Sequence, residues 1–399
     1  MNMSSQTGAG ATGALASLTG WLTAGVSATL IGFASSAVLI FQAADTLGAG
    51  AAAGSWLWAS ATAMGLLSIL LSLRYRMPVV IAWSTPGAAL LASSLLDVGL
   101  AEAIGAFILS ALAMIVVGWT GLFERLMNRV PKAIAGALLA GVLVRFGFDI
   151  FTSMQIRFEM VLAMFVAYLL GRRFAPRYSI VLVLLAGLGV AWWQHALDFS
   201  GLRPELVVPQ FVMPVFTWQA ALGLALPLFV VTMATQNIPG VAVLRAHNYS
   251  APISPLITAT GVGTLIFAPF GAFAVNLSAL IAAICMDKQI HPDPARRYWA
   301  AVFYGVFSIG LGLLGTTVAG LFDAFPPELI AALAGLALLG PIGLGLSQAG
   351  AAGHYQEAAL ITFLIAASGV TLFEVGSAFW SLVGAGIVLL LTRKQETPS

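Results

Sequence analysis

The sequence predicts an all-α polytopic membrane protein. Fourteen membrane segments form two inverted repeats of seven, and segments three and ten are each broken into a short extended stretch plus a half-helix. Three observations lead there: a composition that water cannot solvate, apolar runs of spanning length, and a matched pair of interruptions. Of 399 residues, 60% are hydrophobic and only 8% are charged, with a mean hydropathy of +0.99. The 17 basic and 15 acidic side chains are too few to cover the surface that a water-soluble fold of this length exposes. The solvent is therefore lipid. A net charge of +2 gives no field that tracks phosphates, which argues against a nucleic-acid partner. The single cysteine, Cys285, cannot form an intrachain disulfide and reads as a small buried hydrophobe.

A spanning helix needs about 20 mostly apolar residues. In the first half such runs lie near 18–42, 55–73, 79–96, 101–121, 133–148, 159–171 and 178–195. In the second half they lie near 218–237, 254–269, 272–286, 298–320, 328–346, 357–371 and 374–392. The first 14 residues carry no Lys or Arg, so the basic region of a cleavable signal peptide is missing and the first run is expected to be retained.

Counting every segment from a cytoplasmic amino terminus places 14 of the 17 basic residues on the cytoplasmic side, leaving Arg145, Arg157 and Arg203 elsewhere. Both termini are then cytoplasmic. The one long connection, about 196–217, carries Pro204, Pro209 and Pro214 on the far side and divides the chain into repeats at 1–200 and 201–399. An odd number of spans per copy inverts the second copy, as an inverted repeat requires.

The third segment reads Pro78-Val79-Val80-Ile81-Ala82-Trp83-Ser84-Thr85-Pro86-Gly87. Pro78 and the β-branched residues after it favour extended backbone, while Thr85 suits an N-cap and Pro86 the first helical position. Its counterpart reads Pro269-Phe270-Gly271-Ala272-Phe273-Ala274-Val275-Asn276-Leu277-Ser278. Here Pro269 and Gly271 break the preceding helix and Asn276 is the expected N-cap. Irregular backbone at membrane depth survives only where protein or an aqueous cavity covers it. The two helix starts, each with unpaired amides and a partial positive charge, are expected to face each other and suit an anion, above all a carboxylate. Two Pro-kinked structural helices with nothing between them are the alternative.

Thr232, Thr235 and Gln236 share overlapping faces of segment eight and point together into the bundle, either toward a ligand or as helix-to-helix hydrogen bonds. Segment one offers Phe33, Ser36 and Gln42 in a small-residue helix, where simple close packing is the competing reading. Trp83 would give an aromatic ligand a stacking face or act as an interfacial anchor. Most acids lie near segment ends. Glu374, where Thr371-Leu372-Phe373-Glu374 enters the last segment, is the candidate proton carrier. No metal-ligand spacing, phosphate loop or catalytic cluster is present, so neither an enzyme nor a cofactor is expected.

The stretches Ala82-Trp83-Ser84-Thr85-Pro86-Gly87-Ala88-Ala89-Leu90, Thr235-Gln236-Asn237-Ile238-Pro239-Gly240, Tyr249-Ser250-Ala251-Pro252-Ile253-Ser254-Pro255-Leu256 and Gly376-Ser377-Ala378-Phe379-Trp380 resemble the benzoate/proton symporter (BenE) family of bacterial inner-membrane transporters. That family is similar in fold to UraA-type nucleobase permeases. The resemblance implies a core domain of segments 1–4 and 8–11 (about 18–122 and 218–320) moving against a gate domain of segments 5–7 and 12–14 (about 131–195 and 328–392). It implies substrate contacts from Ser84, Thr85, Pro86, Gly87, Gln236, Asn237, Asn276, Leu277 and Ser278, with Phe33, Ser36 and Trp83 lining the pocket. The expected partners are a small aromatic carboxylate, a proton and the lipid bilayer, and a homodimer is compatible with the sequence. UraA-like permeases place acids where this chain has Gln236 and Asn276, and an anionic substrate accounts for their loss. A nucleobase or inorganic-anion carrier on the same fold, or an anion channel, are the rival readings.

Overall fold

The computed structural model describes residues 5–93, 98–123, 131–200, 204–288, 290–351, 353–373 and 377–392. It is a helical bundle of spanning dimensions. The first half comprises α1 (Ser5–Thr46), α2 (Ala53–Tyr75), β1 (Ile81–Trp83), α3 (Thr85–Ala92), α4 (Leu100–Trp119), α5 (Lys132–Ile156), α6 (Phe158–Phe174) and α7 (Ser179–Trp193). The second half comprises α8 (Trp218–Arg245), then α9 (Ile253–Phe267), β2 (Val275–Leu277), α10 (Leu280–Cys285), α11 (Tyr298–Leu313), α12 (Gly315–Asp323), α13 (Pro327–Gly350), α14 (Gln356–Ser368) and α15 (Ser377–Thr392).

Local chemistry sets the boundaries. α2 stops where Arg76 takes a left-handed conformation (φ 50°) ahead of Pro78. α4 starts where the Glu102 carboxylate accepts from the Gly99 N–H at 3.0 Å. α8 widens into π turns at Ala221–Ala225 and Met233–Asn237, each followed by a proline, Pro227 or Pro239, that has no N–H for the helical ladder. The run 298–320, expected as one span, is two helices bent by 67° at Leu314. Gly310, Gly312 and Gly315 weaken the helix there, and Gly315 lies directly against the Gly54 backbone of α2.

In lipid, helices associate by close packing rather than by escape from water. α2 packs on α11, α4 on α9, and α5 on α13. Gly65 and Gly305 make the first of these crossings possible, since a Cβ on either would meet the other's carbonyl oxygen at 2.6 Å. Gly136 and Gly345 do the same between α5 and α13, at 2.8 and 2.6 Å.

The expectation of an all-α protein needs correction, because the two extended stretches pair. β1 and β2 form an antiparallel ribbon with Ile81 opposite Leu277, Ala82 opposite Asn276 and Trp83 opposite Val275. The ladder continues through Ser84 N–H to Ala274 C=O and Ser278 N–H to Val80 C=O, both 2.9 Å. A free ribbon edge in a membrane interior is costly, and side chains satisfy both edges. On the β1 side, Ser68 accepts from Ile81 N–H at 2.9 Å and Ser72 from Val79 N–H at 3.1 Å. On the β2 side, Thr264 accepts from Val275 N–H at 3.0 Å and Asn237 from Leu277 N–H at 2.9 Å. Gly271, at φ 104°, turns the chain into β2 against the Trp56 ring, where no side chain fits.

One end of the molecule is closed by polar bonds. The connection after α7 lies across the tops of several helices: Val207 N–H donates to Leu313 C=O, Gln210 N–H to Ser55 Oγ, Val212 N–H to Pro269 C=O and Val215 N–H to Ala101 C=O, all within 3.0 Å. Beside it, Arg157 bonds Glu328 at 3.1 Å, and Gln194 links Arg157 (3.5 Å) to Glu159 (3.0 Å), tying the ends of α5, α6, α7 and α13 together.

Candidate functional site

A cavity of about 430 Å³ lies beside the ribbon. Ribbon and helix starts supply Ala82, Trp83, Thr85 and Pro86 from one break and Ser278, Ala279 and Leu280 from the other. α1 contributes Phe33 and Ser36, and the second π turn of α8 turns Thr235 and Gln236 inward. The opposite wall is Tyr168 and Arg172 of α6, the first turn of α7, and Leu336, Gly340, Pro341 and Leu344 along one face of α13. A second recess of about 270 Å³ shares Ile31 and Ile284 with the cavity and reaches Gly20, Tyr178, Asp287 and Ile290. The cavity therefore opens toward the end opposite the closed one.

At each break a serine hydroxyl bonds the first turn of the helix, Ser84 as the N-cap of α3 and Ser278 from the residue before the Ala279 cap of α10. Ser84, fully buried, accepts from Gly87 N–H at 3.0 Å and from the Thr232 hydroxyl at 3.0 Å. Ser278 accepts from Ile281 N–H at 3.3 Å. Thr85 and Asn276, the N-caps expected from sequence, are displaced from that role by strand register: the ladder runs on to Ser84 and Ser278, so α3 starts one residue earlier, at Thr85, and α10 three residues later, at Leu280, than those caps require. Because the pairing is antiparallel, the helix starts also leave opposite ends of the ribbon instead of meeting head to head. Both still border the same cavity.

The residues expected at the site divide into two groups. Phe33, Ser36, Trp83, Thr85, Pro86, Gln236 and Ser278 line the cavity. The Trp83 ring packs edge-on against Phe33 with centroids 4.8 Å apart, and its N–H donates to Ser36 Oγ at 2.8 Å. Ser84, Gly87, Asn237, Asn276 and Leu277 stand behind it. Asn237 is committed to Leu277 N–H and to Met233 Sδ (3.0 Å). Asn276 is fully buried; with its amide oriented to satisfy both ends, it accepts from Ser84 N–H and donates to Leu277 C=O, each 3.0 Å. Gly87 is packed between Ser84 and Leu228. These amides hold the breaks together because backbone pairing leaves polar groups that lipid cannot satisfy. Glu374 lies outside the described residues.

The sequence reading missed the wall formed by α6 and α13, including Arg172, and missed Tyr304, whose hydroxyl donates to Ile81 C=O at 3.0 Å at the cavity edge. Tyr168 and Arg172, four apart on one helix face, were the available signal for the wall.

A polytopic helical membrane protein with two broken segments crossed beside a central cavity has the construction of a secondary transporter. Solved structures share the fold. The transmembrane domain of the cyanobacterial bicarbonate transporter BicA aligns with TM-score 0.58 and 15% identity, covering 94% of this chain and 97% of that one. The murine Slc26a9 anion transporter in its inward-facing state aligns with TM-score 0.60 and 13% identity, covering 95% and 69%. The chain belongs to the benzoate membrane transport protein family, BenE, which it matches over residues 17–391. Relatives include Inner membrane protein YdcO of Escherichia coli strain K12, 44% identical over 92% of this chain and 94% of that one. The Benzoate membrane transport protein of Acinetobacter baylyi is 36% identical over 90% and 91%.

Proposed function

We propose that the protein is a proton-coupled importer of benzoate or a closely related aromatic carboxylate, bound in the cavity beside the two helix starts. The observation that carries this reading is a cavity walled by Phe33, Trp83, Tyr168 and Tyr304, bordered by both helix starts and, among the described residues, lined by no acid. The aromatic and aliphatic wall suits a phenyl ring, and the amide-rich helix starts suit its carboxylate. Importing a carboxylate against an inside-negative potential costs about 2.3 kcal/mol per charge per 100 mV, which an accompanying proton offsets.

In this reading the chain spans the cytoplasmic membrane fourteen times as seven-plus-seven inverted repeats. The like-for-like partners support it: α2 meets α11 as α9 meets α4, and Ser68 bonds Ile81 as Thr264 bonds Val275. Core segments 1–4 and 8–11 move against gate segments 5–7 and 12–14. Both termini are cytoplasmic, and with Arg172, Arg173 and Lys288 on that side the cavity opens inward. Glu374 remains the candidate proton carrier.

An inorganic anion is the second reading, favoured by the bicarbonate and Slc26a9 fold neighbours. Proteoliposomes loaded with the purified protein separate the two. Labelled benzoate should accumulate under an inwardly directed proton gradient and be displaced by substituted benzoates but not by bicarbonate, sulfate or uracil. Uptake that ignores the pH gradient and follows voltage alone would instead indicate a channel.

A further inference from the structure

We propose that Arg172, on the α6 wall, reads the substrate's charge: its guanidinium takes the carboxylate between the open end and the helix starts, and so selects the anion over its neutral form. This rests on the aromatic-carboxylate reading above. Among the described residues, Arg172 is the only charged side chain lining the cavity, and no acid lines it. It also has no ion-pair or hydrogen-bond partner among the described residues. Its neighbour Arg173 is engaged elsewhere, 5.5 Å from the Phe174 ring centroid, in an arrangement that needs no cavity. Of two consecutive arginines, one is spent against an aromatic ring and the other is turned to the cavity, one helical turn from Tyr168.

Among the described residues, the polar side chains of the opposite, core-side wall are neutral: Ser36, Thr85, Thr235, Gln236 and Ser278. Partial charges at helix starts hold a carboxylate weakly compared with a guanidinium, which presents two parallel donors to it. A full cation on the gate and partial charges on the core divide the two tasks. The gate discriminates the charged species and the core carries it. When core and gate slide past each other, the carboxylate must leave the guanidinium, so the strong contact belongs to the open state alone.

The test compares wild type, Arg172→Gln and Arg172→Lys in nanodiscs, measuring equilibrium binding of benzoate and of its neutral isostere benzamide across ionic strength. Arg172→Gln should weaken benzoate binding by about tenfold to hundredfold, the loss of a hydrogen-bonded charge pair, and flatten its salt dependence. Benzamide, whose carbonyl accepts only a neutral hydrogen bond from the guanidinium, should lose far less affinity than benzoate, and Arg172→Lys should restore part of the preference for benzoate. Benzamide binding also reports that the variants are folded. If wild type binds benzoate and Arg172→Gln matches it in affinity and in discrimination, Arg172 has no such role. If wild type binds neither ligand nor any aromatic acid, the proposed function falls and takes this assignment with it.

Discussion

The Ser84 and Ser278 hydroxyls occupy equivalent places in the two breaks. Each sits one residue past its strand and accepts from the amide three positions further on, at 3.0 Å to Gly87 and 3.3 Å to Ile281. Each backbone N–H also closes one end of the shared ladder. One ribbon thus fixes the start of both half-helices, and a change at either serine is transmitted to the cavity wall.

Ser84→Ala removes a buried cap and leaves the Thr232 hydroxyl without its acceptor. The expected loss is about 1–2 kcal/mol of stability, read as a lowered melting temperature in detergent, with benzoate uptake falling as well. Ser278→Ala, at the longer bond, should lose less. Equal losses at the two positions would contradict the ranking by geometry.

Asn237→Leu strands the Leu277 N–H in an interior without water and should cost about 1–3 kcal/mol. The surviving folded fraction should keep the wild-type half-saturation concentration, because Asn237 does not face the cavity. A raised half-saturation concentration with unchanged stability would return Asn237 to the binding site.

Gln236 faces the cavity, so Gln236→Ala should raise the half-saturation concentration for benzoate by up to about tenfold with little change in melting temperature. Gln236→Glu places a fixed negative charge where the carboxylate would sit and should abolish uptake at neutral pH. Wild-type kinetics in both variants would remove α8 from the substrate's path.

The Arg157–Glu328 pair is partly screened by solvent, with side-chain exposures of 36% and 17%. A double-mutant cycle of Arg157→Gln and Glu328→Gln should therefore give a coupling of about 0.2–1 kcal/mol. The singles should loosen the closed end, seen as faster amide exchange at the ends of α5 and α13. A zero coupling would mean that packing alone joins those helices.

The positions of the two breaks were legible in the sequence because Pro78 and Pro269 restrict the backbone by local sterics and Gly271 permits a positive φ that other residues avoid. The identity of the caps was not. Thr85 and Asn276 are good N-cap residues in isolation, but the cap falls where the ladder stops, and strand register is a relation between residues far apart in sequence. For the same reason Asn237 and Asn276 looked like ligand groups. A polar side chain within an apolar run signals that something must be satisfied without saying whether that is a substrate or the protein's own backbone. Arg172 was hidden differently, since a basic residue at the end of an apolar run reads first as an orientation signal, and only the fold shows which way it turns.

The connection sewn across α2, α4, α9 and α11 by four backbone donors has a mechanical consequence. All four anchors belong to the proposed core, so the outer cover is cargo of the travelling part and cannot swing independently as a door. Core and gate are then joined on that face by the connection leaving α7 after Gln194 and by the short turn between α12 and α13, and Asp198 N–H donates to Ala324 C=O between them at 3.1 Å. A disulfide clamp across these connections should arrest turnover while leaving ligand capture from the open end intact.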